Sequence, residues 1–138
     1  MKKLTLIFLI CLFTVLLSAP SYAEWTKVGE TLKGDFYVDY ERIRKHDGSV
    51  YWWELLDRLK PTNSGNFSSK GYYQGDCRVF RSRELSLSFH KHPMGGGIGQ
   101  VREPKGEHKN WVYPTPNSMN EYILKKVCNH AKTIKPSD

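Results

Sequence analysis

The chain has 138 residues, 39% hydrophobic and 13% aromatic, with 21 Lys and Arg against 14 Asp and Glu and a formal net charge of +7. That is enough for one domain with a core of its own, able to fold without a structural metal. The excess of base favours anionic partners such as acidic polysaccharide, phospholipid headgroups or acidic protein patches, and disfavours none of these relative to the others.

Met1-Lys2-Lys3, the apolar run Leu4 to Leu17 and Ser21-Tyr22-Ala23 have the charged, greasy and small-residue parts of a secretory leader over residues 1–23. The run is shorter than the roughly 20 residues of a bilayer-spanning helix. Cys11 lies within it behind Ile10, not behind the small residue that lipidation requires. Removal of the leader takes away Lys2 and Lys3 and leaves a single domain, residues 24–138, with a formal charge of +5. Export places Cys77 and Cys128 in an oxidising compartment, where two remaining thiols of a small domain pair.

Strands are predicted over Trp25 to Glu30, Asp35 to Arg44, Ser49 to Leu59, Phe67 to Cys77 and Val79 to Phe89. These segments are rich in β-branched and aromatic residues and are punctuated by Lys33-Gly34, Asp47-Gly48 and Pro61 to Gly65. Asp47-Gly48 suits a type I′ hairpin, which needs positive φ at both central positions. Connections this short allow only antiparallel neighbours. Apolar residues on both parities of 50–59 make that strand central. In 79–89, Arg81 and Arg83 share parity with Val79 and Leu85, a conflict that a β-bulge resolves.

Residues 90–110 carry five glycines, two prolines and no hydrophobic period, and are expected to form a long functional or disordered loop. Thr115-Pro116 and Ser118-Met119-Asn120-Glu121 both signal the start of a helix. Met119, Ile123, Leu124, Val127, Cys128 and Ala131 then form one apolar stripe, and Glu121 and Lys125 are spaced to pair. Cys128 on that stripe would staple the helix to the sheet at Cys77. Residues 131–138 are expected to fray. The expected fold class is therefore α+β: an antiparallel meander of about five or six strands packed against one C-terminal helix, with one disulfide.

Catalytic chemistry is not legible. His90, His92 and His108 are of the type that binds zinc or copper, but Lys91 and the flanking glycines favour solvated histidines and no metal. Met94 to Gly99 lacks the Gly-Lys-Ser/Thr ending of a phosphate loop. Asp39, Glu41, Glu54, Asp57 and Glu84 are acids of strands with a wet face, and no nucleophile turn accompanies them. No enzyme and no cofactor are expected. Arg78, Arg81, Arg83 and Lys70 among Tyr72, Tyr73 and Phe80 imitate a nucleic-acid-binding sheet, a reading that export opposes.

Glu24 to Gly29, Tyr37-Val38-Asp39, Arg42 to Lys45, Tyr51-Trp52-Trp53, Tyr72 to Cys77, Pro93-Met94-Gly95 and Trp111 to Pro114 together resemble the surface-adhesin protein E family of exported bacterial proteins. The resemblance implies a disulfide-tied sheet and helix, a periplasmic or cell-surface location, and binding of host matrix and serum proteins such as laminin, vitronectin and plasminogen. It also implies that the domain can form a homodimer. Family binding residues fall between the two cysteines, which points to a cationic strand and loop of Arg78, Arg81, Arg83, Lys91, Lys105 and Lys109, with Tyr72, Tyr73 or Trp111 adding apolar contact. The partner is expected to be a protein or acidic polysaccharide, not nucleic acid. The alternative is a soluble periplasmic envelope or stress-related protein that acts by association with itself or another protein, and an enzyme of unknown type is the third reading.

Overall fold

The computed structural model describes residues 1–3 and 23–135. The expected leader lies almost entirely outside the described residues. Among the described residues there are seven strands: β1 (Thr26–Thr31), β2 (Gly34–Val38), β3 (Arg44–His46), β4 (Ser49–Arg58), β5 (Ser68–Asp76), β6 (Arg81–His90) and β7 (Gln100–Arg102). The helix α1 (Met119–Ala131) closes the order. The strands form one antiparallel sheet in the order β1-β2-β4-β5-β6-β7, with β3 also on β4.

The expected strand 35–44 is two strands. β2 and β3 share one edge of β4, pairing with Glu54 to Arg58 and with Ser49 to Tyr51 respectively. Between them Asp39, 1% exposed, caps a 3-10 turn over Tyr40–Arg42 by accepting from the Arg42 backbone N–H. The same carboxylate takes Arg42 Nε at 2.5 Å. A buried acid that finds both partners three residues on favours the turn over a continuous strand. The β3–β4 hairpin has φ of +47° at Asp47 and +75° at Gly48, as its sequence predicts.

The core lies on one face of the sheet. Val38, Ile43, Val50 and Trp52 pack against Ile123, Leu124, Val127, Cys128 and Ala131 of α1, the stripe read from the sequence. Each large side chain so buried contributes roughly 1.5–3 kcal/mol. Gly75 lets the helix approach, since a Cβ there would sit 2.9 Å from the Trp52 ring and 3.1 Å from Leu124. The Cys77–Cys128 disulfide joins the β5–β6 turn to this inner face of α1, with Cα atoms 5.7 Å apart.

Ser118 is the helix N-cap, its hydroxyl accepting from Glu121 N–H at 3.2 Å, while Thr115-Pro116 forms the preceding turn. The Glu121 carboxylate accepts from Asn117 N–H at 2.6 Å, so it acts at the helix start instead of making the expected pair with Lys125. Beyond α1, Ile134 rests against the core and its carbonyl accepts from Lys45 Nζ at 3.1 Å.

The expected bulge is present. Tyr72 faces Ser86 and Tyr73 faces Glu84, which leaves Leu85 as the extra residue of β6. It reverses the strand's parity: Leu87 and Phe89 turn to the helix side, whereas Arg81 and Arg83 join Gln74 and Tyr72 on the open face.

Residues 90–110 are neither structureless nor free. β7 pairs with β6, and short 3-10 turns form over Pro93–Gly95 and Gly106–Lys109. The first folds across one end of the open face: Met94 N–H donates to Asp57 Oδ1 at 2.7 Å, and Gly95 N–H to Ser68 Oγ at 2.8 Å. Ser68 donates in turn to the His92 carbonyl at 2.6 Å. This cover leaves Leu55 and Ser68 with no exposure.

Candidate functional site

α1 covers one face of the sheet, and the Pro93–Gly95 turn covers one end of the other. Across the remainder of the open face runs a row of aromatic rings and guanidinium groups. Adjacent tryptophans on a strand point to opposite faces, so Trp52 enters the core while Trp53 joins the open face. Trp53 stacks on Tyr72 with ring centroids 4.7 Å apart, and Tyr51 stacks on the same ring at 6.2 Å. Arg42 lies over Trp53 at 5.6 Å and Trp25 at 6.0 Å, its charge fixed by Asp39.

The row continues through Gln74. Its amide nitrogen donates to Ser49 Oγ at 2.9 Å, and its oxygen accepts from Arg83 Nε at 2.8 Å. Arg81 and Arg83 both lie 4.7 Å from the Trp111 ring, held beside them because Val112 pairs with Ser82. Arg81 also meets Asp76 at 3.6 Å. Among the described residues Arg83 is held by an amide and a ring, with no carboxylate in ion-pair reach. Guanidinium groups over tryptophan gain about 0.5–1 kcal/mol each and lose rotamer freedom before any partner arrives.

Of the residues singled out from the sequence, Arg81, Arg83, Tyr72 and Trp111 share this face. Tyr73 does not. It stacks on Trp52 at 5.6 Å on the helix side, and burial together with Glu54 and Glu84 holds its hydroxyl well above the usual tyrosine range. Arg78 is exposed beside the disulfide, in a concavity of about 560 Å³ with Lys45, His46 and Lys132. Lys91 and Lys105 meet Arg102 in a concavity of about 720 Å³ on the β6–β7 edge. Lys109 is exposed on the Gly106–Lys109 turn. The cations of the expected strand and loop thus occupy four separate places. Trp25, Arg42, Tyr51 and Trp53 belong to the open-face row without having been singled out, although the Trp52-Trp53 pair carried the signal.

His92, His108 and Glu41 are exposed, as expected of solvated groups, whereas Asp39, Glu54 and His90 are not. His90 is 2% exposed, its ring between Ser88 Oγ at 2.9 Å and the Gly96 carbonyl at 3.2 Å. Burial and Lys70 lower its pKa. Among the described residues no three metal-ligating side chains converge. Glu54 accepts from Trp52 Nε1 at 3.1 Å, on the helix side near Phe36, Leu56 and Tyr73. Burial raises its pKa to about 7, with Glu84 adding to the rise. Glu84 is itself paired with Arg102 at 3.2 Å. Among the described residues no helix is long and apolar enough to cross a membrane.

No curated protein sequence matches the chain significantly. Solved structures of Haemophilus influenzae protein E share its fold. One matches with a TM-score of 0.59 at 17% identity over 86% of this chain and 96% of that one. Crystal form II gives 0.59 at 16% identity over 83% and 97%, and protein E from the non-typeable organism gives 0.59 at 16% over 88% of each. The model of surface-adhesin protein E matches residues 25–129. That span takes in the whole sheet, the open-face row and nearly all of α1, and the chain belongs to the surface-adhesin protein E family.

Proposed function

We propose that this protein is an exported, non-enzymatic binding module, residues 24–138 after removal of a leader, that captures a host matrix or serum protein on its open sheet face. The observation that carries the reading is the pair Arg81 and Arg83 stacked on Trp111, continued by Gln74, Tyr72 and Trp53. Arginine and aromatic side chains that are already ordered are the residues on which protein interfaces concentrate their binding energy. An acidic protein segment laid across the row would satisfy Arg83 with a carboxylate and cover the indole rings. Lys91 and Lys105 on the neighbouring edge, and Arg78 and Lys109 further off, add long-range attraction and speed the encounter.

Membership in an adhesin family supports this reading over a periplasmic role, and labelling of intact cells with a membrane-impermeant amine reagent separates the two. Capture of the purified protein by immobilised laminin or vitronectin, falling as salt rises, is the expected result. No capture of any matrix or serum protein, or labelling only after the outer membrane is opened, would overturn it.

A further inference from the structure

At the end of the sheet furthest from Arg81, three large apolar side chains point into water. Leu32 is 100% exposed, Leu59 69% and Phe67 37%. Backbone bonds hold them together: Leu59 N–H donates to the Lys33 carbonyl at 3.1 Å, Arg58 N–H to that of Phe67 at 2.9 Å, and Phe67 N–H to that of His90 at 2.9 Å. Leu32 sits on a fixed tip, since Thr31 Oγ1 accepts from Lys33 N–H at 3.1 Å and donates to the Gly34 carbonyl at 3.3 Å.

The chain segments that build this end, residues 31–34, 58–67 and 90–93, contain Lys33, Arg58, Lys60 and Lys91 and no acid. Lys33, Lys60 and Lys91 are exposed. The neighbouring acids are occupied, Glu30 and Asp35 both with Lys27 and Asp57 with the Met94 N–H. Three exposed apolar side chains at one sheet end, on segments that carry base and no acid, are uncommon on a solvated surface. Face to face with a second copy of itself it would repel. Against an anionic bilayer the lysines meet lipid phosphates while the leucines and the phenylalanine enter the headgroup boundary.

We infer that Leu32, Leu59 and Phe67, with Lys33, Lys60 and Lys91, form a reversible docking edge for an anionic lipid surface. Docked in this way, the sheet stands on the membrane by one end and presents Arg81, Arg83 and Trp111 at the other. The edge and the open-face row use different residues, so each stands or falls alone.

The test is flotation of protein purified from the exported fraction with vesicles, in the absence of any protein ligand. Phosphatidylcholine mixed with phosphatidylglycerol is compared with phosphatidylcholine alone. Binding is expected to the mixed vesicles only. Leu32→Ser with Leu59→Ser should raise the lipid needed for half-binding by about tenfold or more. Lys33→Glu with Lys60→Glu should raise it at least as much, and both pairs lie on exposed positions that leave the thermal midpoint unchanged. Equal flotation of the leucine variant would refute insertion, and no flotation of the wild type would refute docking. A tip-dependent dimer in lipid-free solution would replace the bilayer with a second copy and overturn the proposal.

Discussion

Glu54→Gln should make the protein more stable at alkaline pH and leave it nearly unchanged at acid pH. Glu54 sits on the central strand with its carboxylate against Trp52 Nε1, and burial raises its pKa to about 7 from the ordinary glutamate value of 4.5. The folded state therefore holds a proton that the unfolded chain has given up between these values, and stability falls as pH rises from about 4.5 to about 7. At 1.36 kcal/mol per pH unit the full shift corresponds to about 3 kcal/mol, reduced to about 2 by the part of the side chain that still reaches water. Glutamine keeps the oxygen that accepts from the indole and removes the charge. The difference between variant and wild type at each pH cancels the contribution of His90, whose lowered pKa makes its own effect run the opposite way. Urea unfolding at pH 5 and pH 8, followed by tryptophan fluorescence, reads both quantities. A variant no more stable than the wild type at pH 8 would refute the assignment of a buried, proton-holding carboxyl.

Three other perturbations probe the frame that positions the open face. Replacing both Cys77 and Cys128 with serine opens a link spanning a sequence separation of 51 and should cost about 4 kcal/mol on the chain-entropy account, measured by urea unfolding; a loss under about 1 kcal/mol would show that packing alone fixes α1. Gly75→Val should destabilise by about 1–3 kcal/mol, because its Cβ would press on the Trp52 ring and Leu124, and an unchanged melting temperature would contradict the close approach of helix and sheet. Ser118→Ala should cost about 1 kcal/mol through loss of the bond to Glu121 N–H, and Ser118→Asp should restore it.

The parts of the fold that were legible in the sequence were those decided by neighbours along the chain. Asp47-Gly48 dictates its own hairpin, the stripe from Met119 to Ala131 dictates the buried side of α1, and the parity conflict between Arg83 and Leu85 dictates a bulge. What was not legible depends on partners far along the chain. The turn at Asp39 forms where β4 takes the Asp39 N–H on the Trp53 carbonyl at 3.2 Å and the fold buries the carboxylate, and the glycine-rich segment is stitched down by Asp57 and Ser68, more than 25 residues earlier. Such stitching leaves no hydrophobic period to read. The same limit applies to the site: a cationic strand and loop could be named residue by residue, but only the bulge at Leu85 and the pairing of Val112 with Ser82 decide which arginines meet Trp111.

The central claim is that the row on the open face, and not positive charge in general, holds the partner. It is tested most directly by the dissociation constant for laminin or vitronectin of matched single variants: Arg83→Ala and Trp111→Ala on the row, Arg78→Ala and Lys109→Ala away from it. Row variants should weaken binding by about 2 kcal/mol, roughly thirtyfold, and the others by less than about threefold. Equal losses from all four, or larger losses from Arg78→Ala and Lys109→Ala, would contradict it.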